Sequence, residues 1–201
     1  MNYDGVYTNL GLLLSDQCVH TLKMAVFEGT TQNEFKDRKE FSGSLFRQME
    51  EVYDYIDLTH STFQKLRRID QRDYPEVAVR EALLNLLVQR EYSFRASAFI
   101  SFYTDRMGFT SIGGLVKGIT LKDVMMGISV SPNVKLANVF YRLELIVAYG
   151  TGMLKIMKGY AGTGKEPKIE TSDNVFKIIL PNLNVLTGKE ESVVNKPTGN
   201  I

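Results

Sequence analysis

Cysteine, histidine and long apolar runs are all scarce in this chain, and each scarcity excludes a class of protein. The single cysteine, Cys18, rules out an internal disulfide and any cysteine-rich zinc site. His20 and His60 lie far apart and flank no ligand pattern, so both read as ordinary surface or core residues. No apolar stretch approaches the roughly 20 residues that a membrane helix needs. The first residues are polar and carry no signal peptide, so the expected setting is cytoplasmic, without a membrane partner. Charge of one sign is lacking too. The 24 basic and 23 acidic side chains leave a net +1, and no global basic field points to nucleic acid. No Ser-His-Asp set, paired-carboxylate signal or metal cluster is visible. What remains is 201 residues, 44% apolar and 23% charged, enough for one domain with a proper core and an appendage.

The most informative stretch runs from Pro75 to Gln89. Pro75 suits a first helical turn, where its missing N–H costs nothing, and Asp73 is the expected N-cap. Val79, Ala82, Leu83, Leu86 and Leu87 recur at helical spacing and predict one apolar face. Glu81, Asn85 and Gln89 lie four apart, so three polar heads stack on another stripe. On an average amphipathic helix such a stripe is simply solvated.

Other elements follow from pattern and punctuation. Leu22–Phe27 alternates as a strand, closed by Glu28-Gly29-Thr30. Phe41 to Ile56 has helical spacing, with Ser42 or Ser44 as cap. A polar connector follows, with a possible strand over Phe63–Ile69. Ser97–Tyr103 reads as a strand that turns at Thr104–Arg106, returns over Met107–Ile112 and breaks at Gly113-Gly114. Thr120 and Asp123 have capping-box spacing. Asn133 to Ala148 reads as one helix, and Gly150-Thr151-Gly152 opens another over Met153–Lys158. Lys168–Glu170 and Asn174–Leu180 read as a closing hairpin around Ser172-Asp173. This order predicts an α/β sandwich with helices on one face of a mixed sheet. The run Gly159 to Lys165 imitates a P-loop. Glu166 stands where a Ser or Thr is required and Pro167 blocks the next helix, so it reads as a surface turn.

The segment Arg80-Glu81-Ala82-Leu83-Leu84-Asn85, with Tyr92-Ser93 after it, resembles the first motif of Bergerat-fold (GHKL) ATPases, the clan of gyrase, Hsp90 and histidine kinases. Ser111-Ile112-Gly113-Gly114-Leu115 and Gly150-Thr151-Gly152 are similar to the later motifs of a divergent branch. That branch comprises Schlafen AlbA-like transcriptional regulators and ATP-dependent DNA helicase-related proteins. The words Asn9–Leu14, Ala25–Thr30 and Phe41–Leu45 extend the resemblance to nearly the whole chain.

The resemblance implies a two-layer α/β sandwich of Bergerat type with an N-terminal strand-helix appendage. Its divisions are a connecting segment over 1–60 that follows an AlbA-like domain, an ATPase-like domain over 61–186, and a flexible tail over 187–201. It implies ATP and Mg²⁺ as ligands, with Glu81 as the base that activates water and Asn85 as the metal ligand. Gln89, Ser111, Gly113, Gly114, Gly150, Thr151 and Gly152 would line the nucleotide site. Ser111 stands where active enzymes carry an Asp that reads adenine, Gln89 replaces a His, and an Arg before Asn133 is missing. ATP binding is therefore expected to be weak and hydrolysis inefficient. DNA would be engaged through winged-helix or AlbA-like domains outside this chain. The alternative is an inactive scaffold serving homodimerisation or the placement of flanking DNA-binding domains.

Overall fold

The computed structural model describes residues 8–59, 61–64, 67–128, 130–147 and 150–185. Its centre is a six-stranded mixed sheet in the order β2-β1-β5-β6-β8-β7. The strands are β1 (Leu22–Phe27), β2 (Phe35–Phe41), β5 (Ala98–Phe102), β6 (Arg106–Ile112), β7 (Lys168–Thr171) and β8 (Val175–Pro181). Only β1 and β5 pair in parallel, Leu22 opposite Ala98 through Val26 opposite Phe102. A parallel pair needs a long crossover. Here it holds α2 (Leu45–Thr59), the antiparallel pair β3 (Ser61–Gln64) and β4 (Arg67–Arg72), and α3 (Glu76–Val88). The strand expected near Phe63–Ile69 is thus two short strands.

One sheet face is apolar because the registers align the inward side chains. Ile100 faces Phe109, and Phe109 faces Ile178, while Phe102, Met107 and Leu180 form a second row. All six are essentially buried. Against this face lies α3, which packs on β6 and β8 below and between α2 and α6 (Thr151–Gly159) at its sides. Nine of its thirteen residues are buried, so α3 is a central core helix. The predicted apolar face is buried in full, joined by Ala78, Leu84 and Val88. Truncating such a leucine to alanine costs about 2–5 kcal/mol.

Three local expectations need correction. Asp73 does not cap α3, because the helix starts at Glu76 and Pro75 occupies the N-cap position without a side-chain bond. Asp73 lies two residues too early, and its Oδ1 accepts from Asn184 Nδ2 at 2.6 Å. The helix expected over Asn133–Ala148 is α5, Val134–Arg142. Glu144 adopts a positive φ of 59°, which ends any right-handed helix, and Ala148 lies outside the described residues. Strand β2 was not anticipated. Six of its seven residues are exposed and most are charged, the composition by which an edge strand resists further pairing, and it carries no apolar alternation to detect.

Three other local readings hold. Thr120 and Asp123 form the capping box of α4 (Leu121–Met125), and Ser44 Oγ accepts from Arg47 N at 3.2 Å at the start of α2. The P-loop imitation runs into strand β7, and Lys165 Nζ donates to the carbonyls of Asn182 and Val185. No helix among the described residues is long and apolar enough to cross a membrane. A short α1 (Asn9–Leu13), capped by Thr8, precedes β1.

Candidate functional site

A cleft of about 130 Å³ opens between α3 on one side and the α4–α6 region on the other, with Phe176 of β8 also in its wall. Its α3 wall carries Glu81, Asn85 and Gln89, the stripe that spacing predicted. Gly150, Thr151 and Gly152 form the facing wall at the start of α6. Gly150 is the N-cap in left-handed conformation, φ 65°, with no side-chain cap. The first N–H groups of α6 therefore have no intrahelical acceptor, which suits them to an anion. Gly114 and Leu115 add the third wall, continued by Val116, Ile119 and Val124.

Glu81 is 6% exposed. Its Oε1 accepts from Lys155 Nζ of α6 at 3.0 Å and from Arg80 Nη1 at 3.2 Å. A buried carboxylate needs such partners, since an unpaired buried charge costs several kcal/mol, roughly 3–5 when one partner is removed. Oε2 points the other way, and a Cβ built on Gly152 would lie 3.2 Å from it. Asn85 is treated differently. Its Oδ1 is buried without a hydrogen-bond partner. An unsatisfied buried carbonyl costs roughly 1–3 kcal/mol, a penalty that a ligand in the cleft would remove.

Two predicted residues stand apart from the cleft. Ser111 is 1% exposed on β6, and its hydroxyl donates to the Phe176 carbonyl at 3.3 Å, across the pair that the β6–β8 register sets. Gly113 has φ 102°, donates its N–H to Asn174 O at 2.9 Å and packs on Glu91. Gln89 lines the cleft at the end of α3.

The sequence reading missed four contributors. Lys155 and Arg80 hold Glu81, and Arg80 Nη2 also donates to Leu145 O at 2.6 Å. Ser131 Oγ donates to Val88 O at 3.3 Å, and Asn133 Nδ2 donates to Val88 O and Arg90 O at 3.0 and 2.6 Å. These bonds dock the start of α5 onto carbonyls at the end of α3. A cation one turn beyond Gly150–Gly152 was the available signal for Lys155; Asn133 was noted only as the residue before which the resemblance expects an Arg, with no sign of its docking bonds.

Beneath this end of α3, Arg90 is fully buried. Its guanidinium donates to Thr21 O at 3.1 Å and Ala96 O at 2.8 Å, joining the lead-ins to β1 and β5. His20 Nδ1 lies 3.4 Å away. Burial, with the charges of Arg90 and Arg95, pushes the His20 pKa below its usual value.

Residues 96–180 match the family model HATPase_c_4, described as "Putative ATP-dependent DNA helicase recG C-terminal". Over that stretch, less than half of the chain, the similarity is to an ATPase-like domain. The stretch spans β5 to β8 and contains both glycine turns of the cleft, while Glu81 and Asn85 precede it. Among solved structures the chain is similar to the DIP2311 protein from Corynebacterium diphtheriae, at 19% identity and a TM-score of 0.76. The match covers 90% of this chain and 38% of that one. At that identity it speaks for the fold alone, and this chain spans well under half of the other's length. Comparison with curated proteins gives no match.

The residues fit a magnesium nucleotide. Among the described residues no group of three or more His, Cys, Asp or Glu side chains could hold a metal by itself. Mg²⁺ does not need one, because it is usually bound through one or two protein oxygens plus phosphates and water. The orphaned Asn85 Oδ1 is a donor of that kind.

Proposed function

We propose that this chain is the nucleotide-binding, ATPase-like part of a transcriptional regulator, and that it takes Mg²⁺-ATP in the α3–α6 cleft. The observation that carries the reading is the unpaired Asn85 Oδ1 in a cleft whose facing wall is the uncapped start of α6. Asn85 would supply an oxygen to Mg²⁺, and the Gly150–Gly152 amides would receive phosphate oxygens. Glu81 Oε2, without a hydrogen-bond partner among the described residues while Oε1 takes both cations, would accept the proton of an attacking water. Bound magnesium would neutralise charge on the phosphates. The apolar wall from Leu115 to Val124 would receive the base.

Affinity should be low. Among the described residues the cleft has no carboxylate besides Glu81, and Ser111 gives its hydroxyl to Phe176. A base held without a charge-assisted bond loses about tenfold, so Kd near 0.1 mM, about −5.5 kcal/mol, is expected. Titration calorimetry with ATP, with and without Mg²⁺, tests this. Heat that requires Mg²⁺ and disappears in Asn85→Ala is the expected result. Equal heats from the wild type and Asn85→Ala would overturn it.

A second reading is a scaffold for dimerisation or for placing flanking DNA-binding domains. It is favoured by large apolar side chains exposed along the α4–α6 region, among them Met126, Ile128, Val134, Leu143 and Val147. Concentration-dependent sedimentation without nucleotide binding would support it. Either way, DNA contact would fall to other parts of a longer protein.

A further inference from the structure

The cleft poses a charge problem. Among the described residues that line it, Glu81 is the one charged side chain. A polyphosphate entering there would meet a carboxylate and no lining cation. Two cations, Arg80 and Lys155, are bound to that carboxylate, and they are not equivalent. Arg80 is tied twice, to Glu81 and to the Leu145 carbonyl. Lys155 has Glu81 as its one hydrogen-bonding partner among the described residues. Its side chain is 32% exposed against 7% for that of Glu81, so its other N–H groups are open to water.

Lys155 is also well placed. It lies three residues after Gly152 on α6, and residues so spaced share one helix face. Lys155 Nζ meets one oxygen of the Glu81 carboxylate while the Gly152 backbone approaches the other. One carboxylate therefore separates the ammonium from the turn offered to phosphate. A lysine ammonium on a flexible stem can serve two acceptors at once, since it carries three donors.

We propose that Lys155 is the cation of the phosphate end of this site, shared between Glu81 and the terminal phosphate of a bound nucleoside triphosphate. The assignment rests on the nucleotide reading above and adds what that reading lacks, a positive side chain for the anion. It makes Glu81 and Lys155 antagonists in binding. Glu81 holds Lys155 when the site is empty and opposes the phosphates when it is filled.

Calorimetry on the full chain with Mg²⁺-ATP and Mg²⁺-ADP tests this with five proteins: wild type, Lys155→Met, Lys155→Arg, Glu81→Gln and the double variant Glu81→Gln/Lys155→Met. Loss of one charge-assisted bond predicts that Lys155→Met weakens ATP about tenfold, and ADP clearly less. Lys155→Arg should keep ATP affinity within about threefold, because the charge remains. Glu81→Gln should bind ATP more tightly than wild type, since Lys155 is released and the repelling charge is gone. The double variant should lose that gain. It also leaves no buried charge unpaired, so it keeps the test valid if Lys155→Met alone folds poorly. If Lys155→Met matches wild type, or the double variant matches Glu81→Gln, Lys155 is not the phosphate partner and the nucleotide reading stands without it. If all five melt cooperatively and none binds either nucleotide, the nucleotide reading falls and this assignment falls with it.

Discussion

Two glycines of the cleft, Gly152 and Gly114, carry different duties, and adding one methyl group separates them. Gly152 is the second residue of α6, and among the described residues its added Cβ would meet Glu81 Oε2 alone, at 3.2 Å. That neighbour is the end of a side chain and can yield by a few tenths of an ångström. Alanine in place of a helical glycine stabilises by roughly 0.5–1 kcal/mol, which offsets the tight contact. Gly114 is the opposite case. Its Cβ would fall 2.2 Å from Ser172 O and 2.6 Å from Asp173 O, both backbone atoms of the β7–β8 turn. Backbone cannot step aside cheaply, and overpacking of this kind costs about 1–3 kcal/mol.

For a chain of this size each kcal/mol moves Tm by about 2–4 °C. Gly114→Ala should therefore lower Tm by about 2–12 °C, while Gly152→Ala stays within about 4 °C of wild type. Binding should separate differently, because the methyl on Gly152 sits between the α6 turn and Glu81, where phosphate would approach. Gly152→Ala should lose at least about tenfold in Mg²⁺-ATP affinity, the worth of one displaced charge-assisted bond. Differential scanning calorimetry and titration calorimetry on the same samples read both quantities. A Gly152→Ala protein that melts normally and binds ATP as wild type does would refute the placement of the phosphates. A Gly114→Ala protein of unchanged Tm would refute the close approach of the two turns.

Asn85→Leu replaces an orphaned carbonyl by apolar atoms of similar size, so it should raise stability by about 1 kcal/mol while abolishing any Mg²⁺-dependent ATP heat; a lower Tm would show that Asn85 is satisfied in solution. Arg90→Met strips Thr21 O and Ala96 O of their donor and should cost about 2–4 kcal/mol, read by urea unfolding; a loss under 1 kcal/mol would refute the clamp. The pKa of His20 is lowered in the fold, so the unfolded chain takes up the proton first. Stability should be full above about pH 6.5 and fall as pH drops through the lowered value, by at most about 1.4 kcal/mol per unit. His20→Asn should flatten that part of the stability–pH curve, and an unchanged slope would assign it to other groups. Ser111→Asp would place a carboxylate beside the Phe176 carbonyl inside the sheet–helix core and should lower Tm without tightening ATP; tighter binding would put Ser111 in the site after all.

Much of the fold was legible because its signals are local. The capping box at Thr120 and Asp123 needs only three residues of spacing, and the hairpins β5–β6 and β7–β8 announce their turns. Other parts depend on what lies across a gap. Strand β2 pairs with β1 through its backbone ladder and leaves six of its seven residues exposed, most of them charged, so no periodicity marks it. The apolar positions Leu143, Ile146 and Val147 continue the helical spacing of α5, yet Glu144 in the left-handed region ends the helix before them. Helical spacing records where a helix would bury those residues, and here Leu143 and Val147 are exposed.

The site shows the same division within a single helix. Glu81 and Asn85 stand four apart, and that spacing predicts that their heads share one stripe, while the cleft was what the family resemblance implied. Spacing cannot say what each head meets. Lys155, 74 residues further along the chain, takes one oxygen of Glu81, and among the described residues nothing takes the oxygen of Asn85. The unequal treatment follows from how α6 lies against α3: Lys155, one turn beyond the glycines, reaches the carboxylate, and no donor reaches the amide. The helix spacing thus puts the two side by side, and the helix packing decides that one is engaged by the protein while the oxygen of the other has no partner among the described residues.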